Sequence, residues 1–423
     1  MKIQYDIDRF FKNQKYKIQK ISYYLLASVL GSLIGIFINP FMAIGLSNND
    51  YAILGYYASF GFILSPLLAF SLNSYYARNY YLVDADKRDK MFQTILSLFL
   101  IFGLLIFLIF FCGYYFYHKN FVFSISLMPY ALLSFAPVYF SSFYSLYILN
   151  LRMQDKAKAY AFITVINALI GAFLSLLLVF IFRFGAEGRL IALLINAVLF
   201  AIYTFKTIKF HFILDKSIII EALSFCWPIT ISAILSFFFL GIDRTFLAQI
   251  NDNHTLGLYN IGIQISAYIG IFGTVILQTF EPDLFRYTSL NQHKKVFYLV
   301  VIIMTLTIIP NLLFIFVSAP LVNILTYGKY TAAIPFVNIL CLRNVATIFA
   351  FQMYDVVIGY GYSRIELYNR ILGSFLAVIA YKYLIKNWGF YGAAWGQSIS
   401  WLVMGLISMT LIIFLIYKKR ANN

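Results

Sequence analysis

Long apolar runs alternate along this chain with short segments that carry lysine, arginine and acids. A helix that crosses a bilayer needs about 20 mostly apolar residues. The runs predict twelve such helices, at residues 21–42, 52–72, 91–115, 121–149, 159–182, 190–204, 227–249, 256–280, 296–317, 332–359, 371–384 and 392–417. The sixth and eleventh are short and are expected to extend into their flanks. No connection exceeds about twenty residues, which leaves no room for a soluble catalytic or binding domain. In the leading tail Ile3, Ile7, Phe10 and Phe11 recur at helical spacing opposite lysines and acids. Two readings stay open for it: an amphipathic helix lying in the interface, or a charged leader that orients the first span.

Composition agrees with the pattern. Of 423 residues, 62% are hydrophobic and only 11% charged, against about 25% charged in soluble domains. No single core could bury so much apolar surface in water, so lipid must solvate it. The first run is too long, and lacks the small-residue cleavage site, to be a removed signal peptide. Cys112, Cys226 and Cys341 lie in or beside apolar segments without a CxxC. His118, His211, His254 and His293 read as loop residues with no metal-ligand spacing.

The net charge of +16 tests the layout independently, because lysine and arginine accumulate in cytoplasmic segments. With both termini inside, 24 of the 32 basic residues fall in inner segments, six in outer ones, and Arg244 and Arg343 within spans. This orientation puts Asn49, His118, Glu187, Asn253, Lys329 and Trp388 outside. The basic residues then face the anionic inner membrane surface, and no nucleic-acid partner is required.

The two halves echo each other. FGAEG before the sixth span and WGFYG before the twelfth are offset by 204 residues. NDYAILGYY, read as an outer turn before the second span, and NDNHTLGLY before the eighth match Gly55 and Tyr57 to Gly257 and Tyr259 at an offset of 202. Arg78 and Arg286, and Lys156 and Arg364, are each offset by 208. The expectation is an all-α membrane protein with two six-helix lobes, 1–209 and 210–423, related by an axis along the membrane normal and leaving a cavity between them. Pro40, Pro66, Pro129, Pro137 and Pro310 fall inside predicted spans, where proline kinks a helix.

Charge inside a membrane costs about 2.5–3.5 kcal/mol per residue on insertion scales and is functional by default. The candidates are Asp243, Arg244, Arg343 and Asp355. Arg343 sits roughly 16 Å into its span and Asp243 roughly 24 Å into its own, at about 1.5 Å per residue. Arg343 is therefore the deepest cation, whereas Arg244 can snorkel outward and Asp355 reads as a wetted helix end. Asp243 cannot simply neutralise Arg244, because neighbours on a helix point about 100° apart. It serves to orient Arg244 or to bind a coupling cation, Na+ or H+. Arg78 and Arg286, just past cytoplasmic helix ends, read as topology anchors or substrate contacts. The substrate-binding candidates are Arg343, Arg244, Arg286 and Arg78. Aromatic residues make up 20% of the chain, spread over all spans as lipid contact and interface belts require.

PITISAILSFFFLGIDRTFLAQI (228–250), the following LGLYNIGIQIS, TYGKYTAAIPFVNIL (326–340) and NWGFYGAAWGQSIS (387–400) resemble a known family. It is the polysaccharide-transport flippases, the Wzx-type O-antigen and capsule repeat-unit flippases of the multidrug/oligosaccharidyl-lipid/polysaccharide exporter superfamily. Members typically show a proline opening the seventh span, an Asp-Arg or Asp-Lys pair late in it, a Gly-x-Tyr start to the eighth, a Tyr-Gly-x-x-Tyr turn before the tenth and a glycine-rich entry to the twelfth. Several relatives carry charge in the first two spans. Here residues 21–72 hold only Asp50, so the cationic lining is expected mainly from the second half.

The resemblance implies a MATE-like fold and a transporter of the cytoplasmic (inner) membrane rather than an enzyme. It implies an undecaprenyl-diphosphate-linked oligosaccharide substrate, as in O-antigen, lipopolysaccharide or capsule biosynthesis. It also implies a monomer without a cofactor, working beside a polysaccharide polymerase. Arginine suits the diphosphate, since its fork pairs bidentately with phosphate and stays charged. Two alternatives differ in what they need. A MATE-type multidrug or ion antiporter wants cavity carboxylates. A polymerase or ligase wants a large external loop.

Overall fold

The computed structural model describes residues 23, 29–120 and 124–421, so the tail at residues 3–11 lies outside the described residues. Those described form helices and no strand. Ten helices are long and apolar enough to cross a membrane, and Val29–Gly45 is a shorter apolar one. The last helix, Ser363–Ala421, runs for 59 residues but is broken at Gly389, with φ 54° and ψ −129°. A side chain at that backbone conformation would be strained, which is why glycine stands there. Beyond the break the chain doubles back. Asn369 Nδ2 donates to Ser408 Oγ at 2.5 Å, and Gly396 packs against the ring of Tyr381. The two arms are the eleventh and twelfth crossings. The protein is an all-α, multi-pass membrane protein.

The spans keep apolar surface that no protein covers. Ile109 is 72% exposed and Phe316 82% exposed. Helices that are apolar on every face and still exposed are solvated by lipid.

Several boundaries differ from the apolar pattern, for capping reasons. The second helix is Asn48–Ala69. Ser47 N and Oγ both reach Asp50 Oδ2, at 2.8 and 2.7 Å, and Asp50 N returns to Ser47 Oγ at 3.1 Å. This reciprocal cap starts the helix inside the polar segment, so NDYAILGYY is helical from Asn48 and not a turn. In the eighth span, Asn253–Ser289, the Asp252 carboxylate caps Thr255 N in the same way. Its 37 residues make roughly 55 Å, well beyond a core about 30 Å thick. Pro228 does not open the seventh span. It lies inside Lys216–Ile234, as membrane helices tolerate. Pro129 lies outside a helix, after a cis bond and before Tyr130–Met153. His118, His254 and His293 occupy terminal helical turns rather than loops. Among the described residues no His/Cys/Asp/Glu group could hold a metal ion.

The chain forms two compact units: Met1–Gly45, Leu64–Gly113 and Ala131–Trp227 in the first, and Leu46–Ile63, Tyr114–Tyr130 and Pro228–Asn423 in the second. Within the first, the connection after the sixth span lies along the third. His211 N donates to Gln93 Oε1 and Ile213 N to Ser97 Oγ, each at 3.1 Å. Lys90 Nζ pairs with Asp215 at 2.6 Å. Gln93 and Ser97 are buried polar residues in an apolar span, and they serve backbone N–H groups that would otherwise lack partners. The Lys90 ammonium, with the Ser217 hydroxyl, holds the half-buried Asp215 carboxyl below the usual carboxylate range.

Within the second unit the repeat-matched glycines interlock. Gly257 lies under the carbonyl of Asn48, and Gly55 faces the side chain of Asn260. Asn253 Nδ2 donates to Asn49 Oδ1 at 2.9 Å, and the Tyr330 hydroxyl and Lys329 ammonium both donate to the Leu46 carbonyl. A β-carbon at position 257 would overlap backbone, which cannot rotate away. Overpacking of this kind costs about 1–3 kcal/mol. Gly257→Val should therefore lower the melting temperature of detergent-solubilised protein by several degrees, with Gly257→Ala between it and the parent. An unchanged melting curve for Gly257→Val would refute the close crossing.

Candidate functional site

In the second unit three buried charges, Asp243 and Arg244 on the seventh span and Arg343 on the tenth, are linked by neutral side chains from the eighth and twelfth. The seventh span is not continuous. After Phe237–Leu240 the chain breaks at Gly241 (φ −133°, ψ −35°) and resumes as Ile242–Ala248. A side chain at Gly241 would meet the Phe237 ring and the Ser59 carbonyl. At the break the Arg244 N–H turns to Gly241 O, so Leu240 O loses its helical donor. Arg244 supplies a replacement, with Nη1 donating to Leu240 O at 2.6 Å and Nε to Asn260 Oδ1 at 3.0 Å. Broken membrane helices need partners of this kind, since the hydrocarbon around them offers none.

Asp243 is fully buried. Its Oδ2 accepts from the Tyr259 hydroxyl at 2.5 Å and from Gln397 Nε2 at 2.8 Å. Its Oδ1 has no hydrogen-bond partner among the described residues. Gln397 spans the gap to the tenth helix, because its Oε1 accepts from Arg343 Nη1 at 3.0 Å. Arg343 Nη2 donates to Asn344 Oδ1 at 2.8 Å, and Asn344 Nδ2 is itself tied to Ser266 O at 2.7 Å. Arg343 and Arg244 are 9% and 7% exposed. Neither forms an ion pair with a carboxylate among the described residues. They donate instead to neutral amides and a backbone carbonyl.

Two guanidiniums against one carboxylate leave the cluster one positive charge in surplus. In a medium that solvates charge poorly, such a surplus draws an anion. Each guanidinium carries five N–H donors, and two are accounted for on each. The arrangement can bind an anionic group by exchanging amide acceptors for phosphate oxygens. The open Asp243 oxygen can take a proton or help to ligate a cation.

The structure thus joins Asp243 to Arg343 through Gln397 and to Arg244 through the neighbouring pair Tyr259 and Asn260. Within the second unit it does not bring Arg286 or Asp355 to them. Arg78 is exposed in the first unit, its guanidinium 4.5 Å from the centre of the Phe225 ring. Arg286 is exposed in the last turn of Asn253–Ser289. Asp355 is on the same helix as Arg343, twelve residues or roughly 18 Å away. Charge alone does not mark Tyr259, Asn260, Asn344 and Gln397, which hold the charged groups in place. Tyr259 stood in the repeat and Gln397 in the GAAWGQSIS stretch. An amide inside an apolar run was the available signal.

The fold is one already seen in solved membrane proteins. The lipid II flippase MurJ in an inward closed conformation superposes with a TM-score of 0.70 at 16% identity, over 93% of this chain and 87% of that one. An inward-facing multidrug resistance MATE family transporter of the MOP superfamily gives 0.73 at 15% identity, over 95% and 99%. Those solved proteins are a flippase and a transporter, not enzymes, and at such identities the likeness is one of fold. Residues 18–288 match the model of the polysaccharide biosynthesis protein family, and the chain belongs to that family. An uncharacterized membrane protein of Haemophilus influenzae (strain ATCC 51907 / DSM 11121 / KW20 / Rd) is 25% identical over 277 residues. That match covers 64% of this chain and 65% of the relative, just under two thirds of its length.

Proposed function

We propose that the protein is a flippase that moves undecaprenyl-diphosphate-linked oligosaccharide repeat units, of O-antigen or capsule, across the cytoplasmic membrane. Membership of a polysaccharide biosynthesis family supports this reading. The observation that carries the substrate class is the buried surplus of positive charge around Arg343, Arg244 and Asp243. A diphosphate cannot cross hydrocarbon without a cationic partner at depth, and guanidinium forks fit its oxygens. The neutral acceptors Gln397, Asn344 and Asn260 hold the forks in place until phosphate displaces them. Asp243 takes the coupling cation, a proton or Na+, at its open oxygen. Arg78 and Arg286, at helix ends, attract the diphosphate to the membrane surface. The polyprenyl tail stays in lipid throughout. Both termini lie in the cytoplasm, the protein acts as a monomer, and the product passes to a polysaccharide polymerase.

The second reading, a MATE-type multidrug or ion antiporter, is favoured by the same open Asp243 oxygen. It is opposed by two arginines beside that single acid, which repel a cationic drug. Proteoliposomes separate the two. The expected result is protein-dependent leaflet exchange of a labelled undecaprenyl-diphosphate oligosaccharide, with no uptake of a cationic dye such as ethidium under a proton or Na+ gradient. Dye uptake without lipid exchange would reverse the assignment.

A further inference from the structure

The first unit contains a cavity that the cluster of buried charges does not use. It has a volume of about 500 Å³ and opens where the second, third, fourth and sixth spans end, within the range of about 300–1,000 Å³ usual for small-molecule sites. Its floor is aromatic and buried, formed by Tyr76, Tyr80 and Tyr147. Its rim is polar and exposed, formed by Asp89, Gln154 and Lys156. The Tyr76 hydroxyl and Gln154 Nε2 both donate to Asn150 Oδ1, at 2.8 and 3.0 Å, which sets the wall. Arg88 is committed elsewhere. It donates to Tyr80 O at 2.8 Å and Val83 O at 3.1 Å and lies 4.2 Å from the centre of the Tyr80 ring. The Asp89 carboxylate, the Gln154 carbonyl oxygen and the Lys156 ammonium have no hydrogen bond or ion pair among the described residues.

This lining selects a ligand class. A phosphate wants donors only, and Asp89 would repel it. An apolar ligand would strand the polar rim. A sugar ring has an apolar C–H face that suits tyrosine and a girdle of hydroxyls that both donate and accept. The rim offers both functions: acceptors on Asp89 and Gln154, a donor on Lys156.

We infer that this cavity is a saccharide site, which holds sugar units of a glycan. Its purpose rests on the flippase reading: the site docks the sugars of the lipid-linked substrate at the face where the basic segments lie. The binding itself does not depend on that reading.

The test uses the full-length protein purified in detergent. The probes are soluble chito- and gluco-oligosaccharides of two to four units, with inorganic pyrophosphate as the anionic control, and binding is read by calorimetry. Because Asp89 and Gln154 are exposed, the double substitution Asp89→Ala/Gln154→Ala should leave the melting temperature unchanged. It should weaken binding of at least one oligosaccharide by about tenfold, a loss of about 1.4 kcal/mol, and leave pyrophosphate binding as it was. No oligosaccharide binding, binding untouched by the double substitution, or pyrophosphate competing with the sugar would each overturn the inference. Lipid exchange that fails while saccharide binding persists would instead sink the flippase reading and leave this site standing.

Discussion

Arg343→Ala is expected to lower the rate of lipid-linked oligosaccharide exchange by on the order of a hundredfold, while the protein still inserts. Truncating one partner of a buried charged contact costs about 2–5 kcal/mol, and Arg343 is the deepest cation on the tenth span. The same change strips Gln397 Oε1 and Asn344 Oδ1 of their donors, at about 1–3 kcal/mol for each group left unsatisfied. Some loss of stability therefore accompanies the loss of transport, and the two must be measured apart. Arg343→Lys does this. Lysine keeps the charge but cannot reach both amides with one fork, so part of the transport should return. Surface polysaccharide is the readout in cells, and proteoliposome exchange in vitro. Normal polysaccharide from Arg343→Ala cells at normal expression would leave Arg343 a purely structural link between the tenth and twelfth helices.

The second large effect is expected at Asp243. Asp243→Asn preserves size, and the amide oxygen can still accept from Tyr259 and Gln397. What it removes is the negative charge and the open Oδ1. The surplus around the two arginines then rises from one positive charge to two, a cost of several kcal/mol in a poorly solvating interior. Anionic substrate should bind at least as tightly. Stimulation of exchange by an imposed proton or Na+ gradient should vanish, leaving only the slow exchange seen without a gradient. Gradient stimulation that survives Asp243→Asn would remove Asp243 from ion coupling and move the cation elsewhere. Gln397→Leu gives an intermediate check, because it severs Asp243 from Arg343 without altering either charge.

Much of the fold could be read from the chain because lipid imposes a simple rule. Each crossing must be a long apolar helix, since its backbone has no other way to pair, and 62% hydrophobic content cannot be hidden otherwise. The errors fall where the rule stops applying. Polar caps such as Ser47–Asp50 belong to the helix, though they read as turn. Pro228 reads as a start but is absorbed inside a helix. The predicted spans at 371–384 and 392–417, by contrast, fall on the two arms around Gly389.

The site divides along the same line. The chain alone picks out Asp243, Arg244, Arg343 and Asp355 as charges set in long apolar runs. It also marked Gly55 and Gly257 as equivalent through the repeat. What those residues touch is set by how the helices pack. Arg343 and Asp243 lie a hundred residues apart on different helices, and the residue that links them, Gln397, lies another 54 beyond Arg343. An uncharged amide carries no periodicity or charge signal, and its partners are chosen by helix packing. The break at Gly241 likewise shows its consequence only in three dimensions. A carbonyl freed there costs energy until Arg244 folds back to meet it, and no local pattern records that requirement.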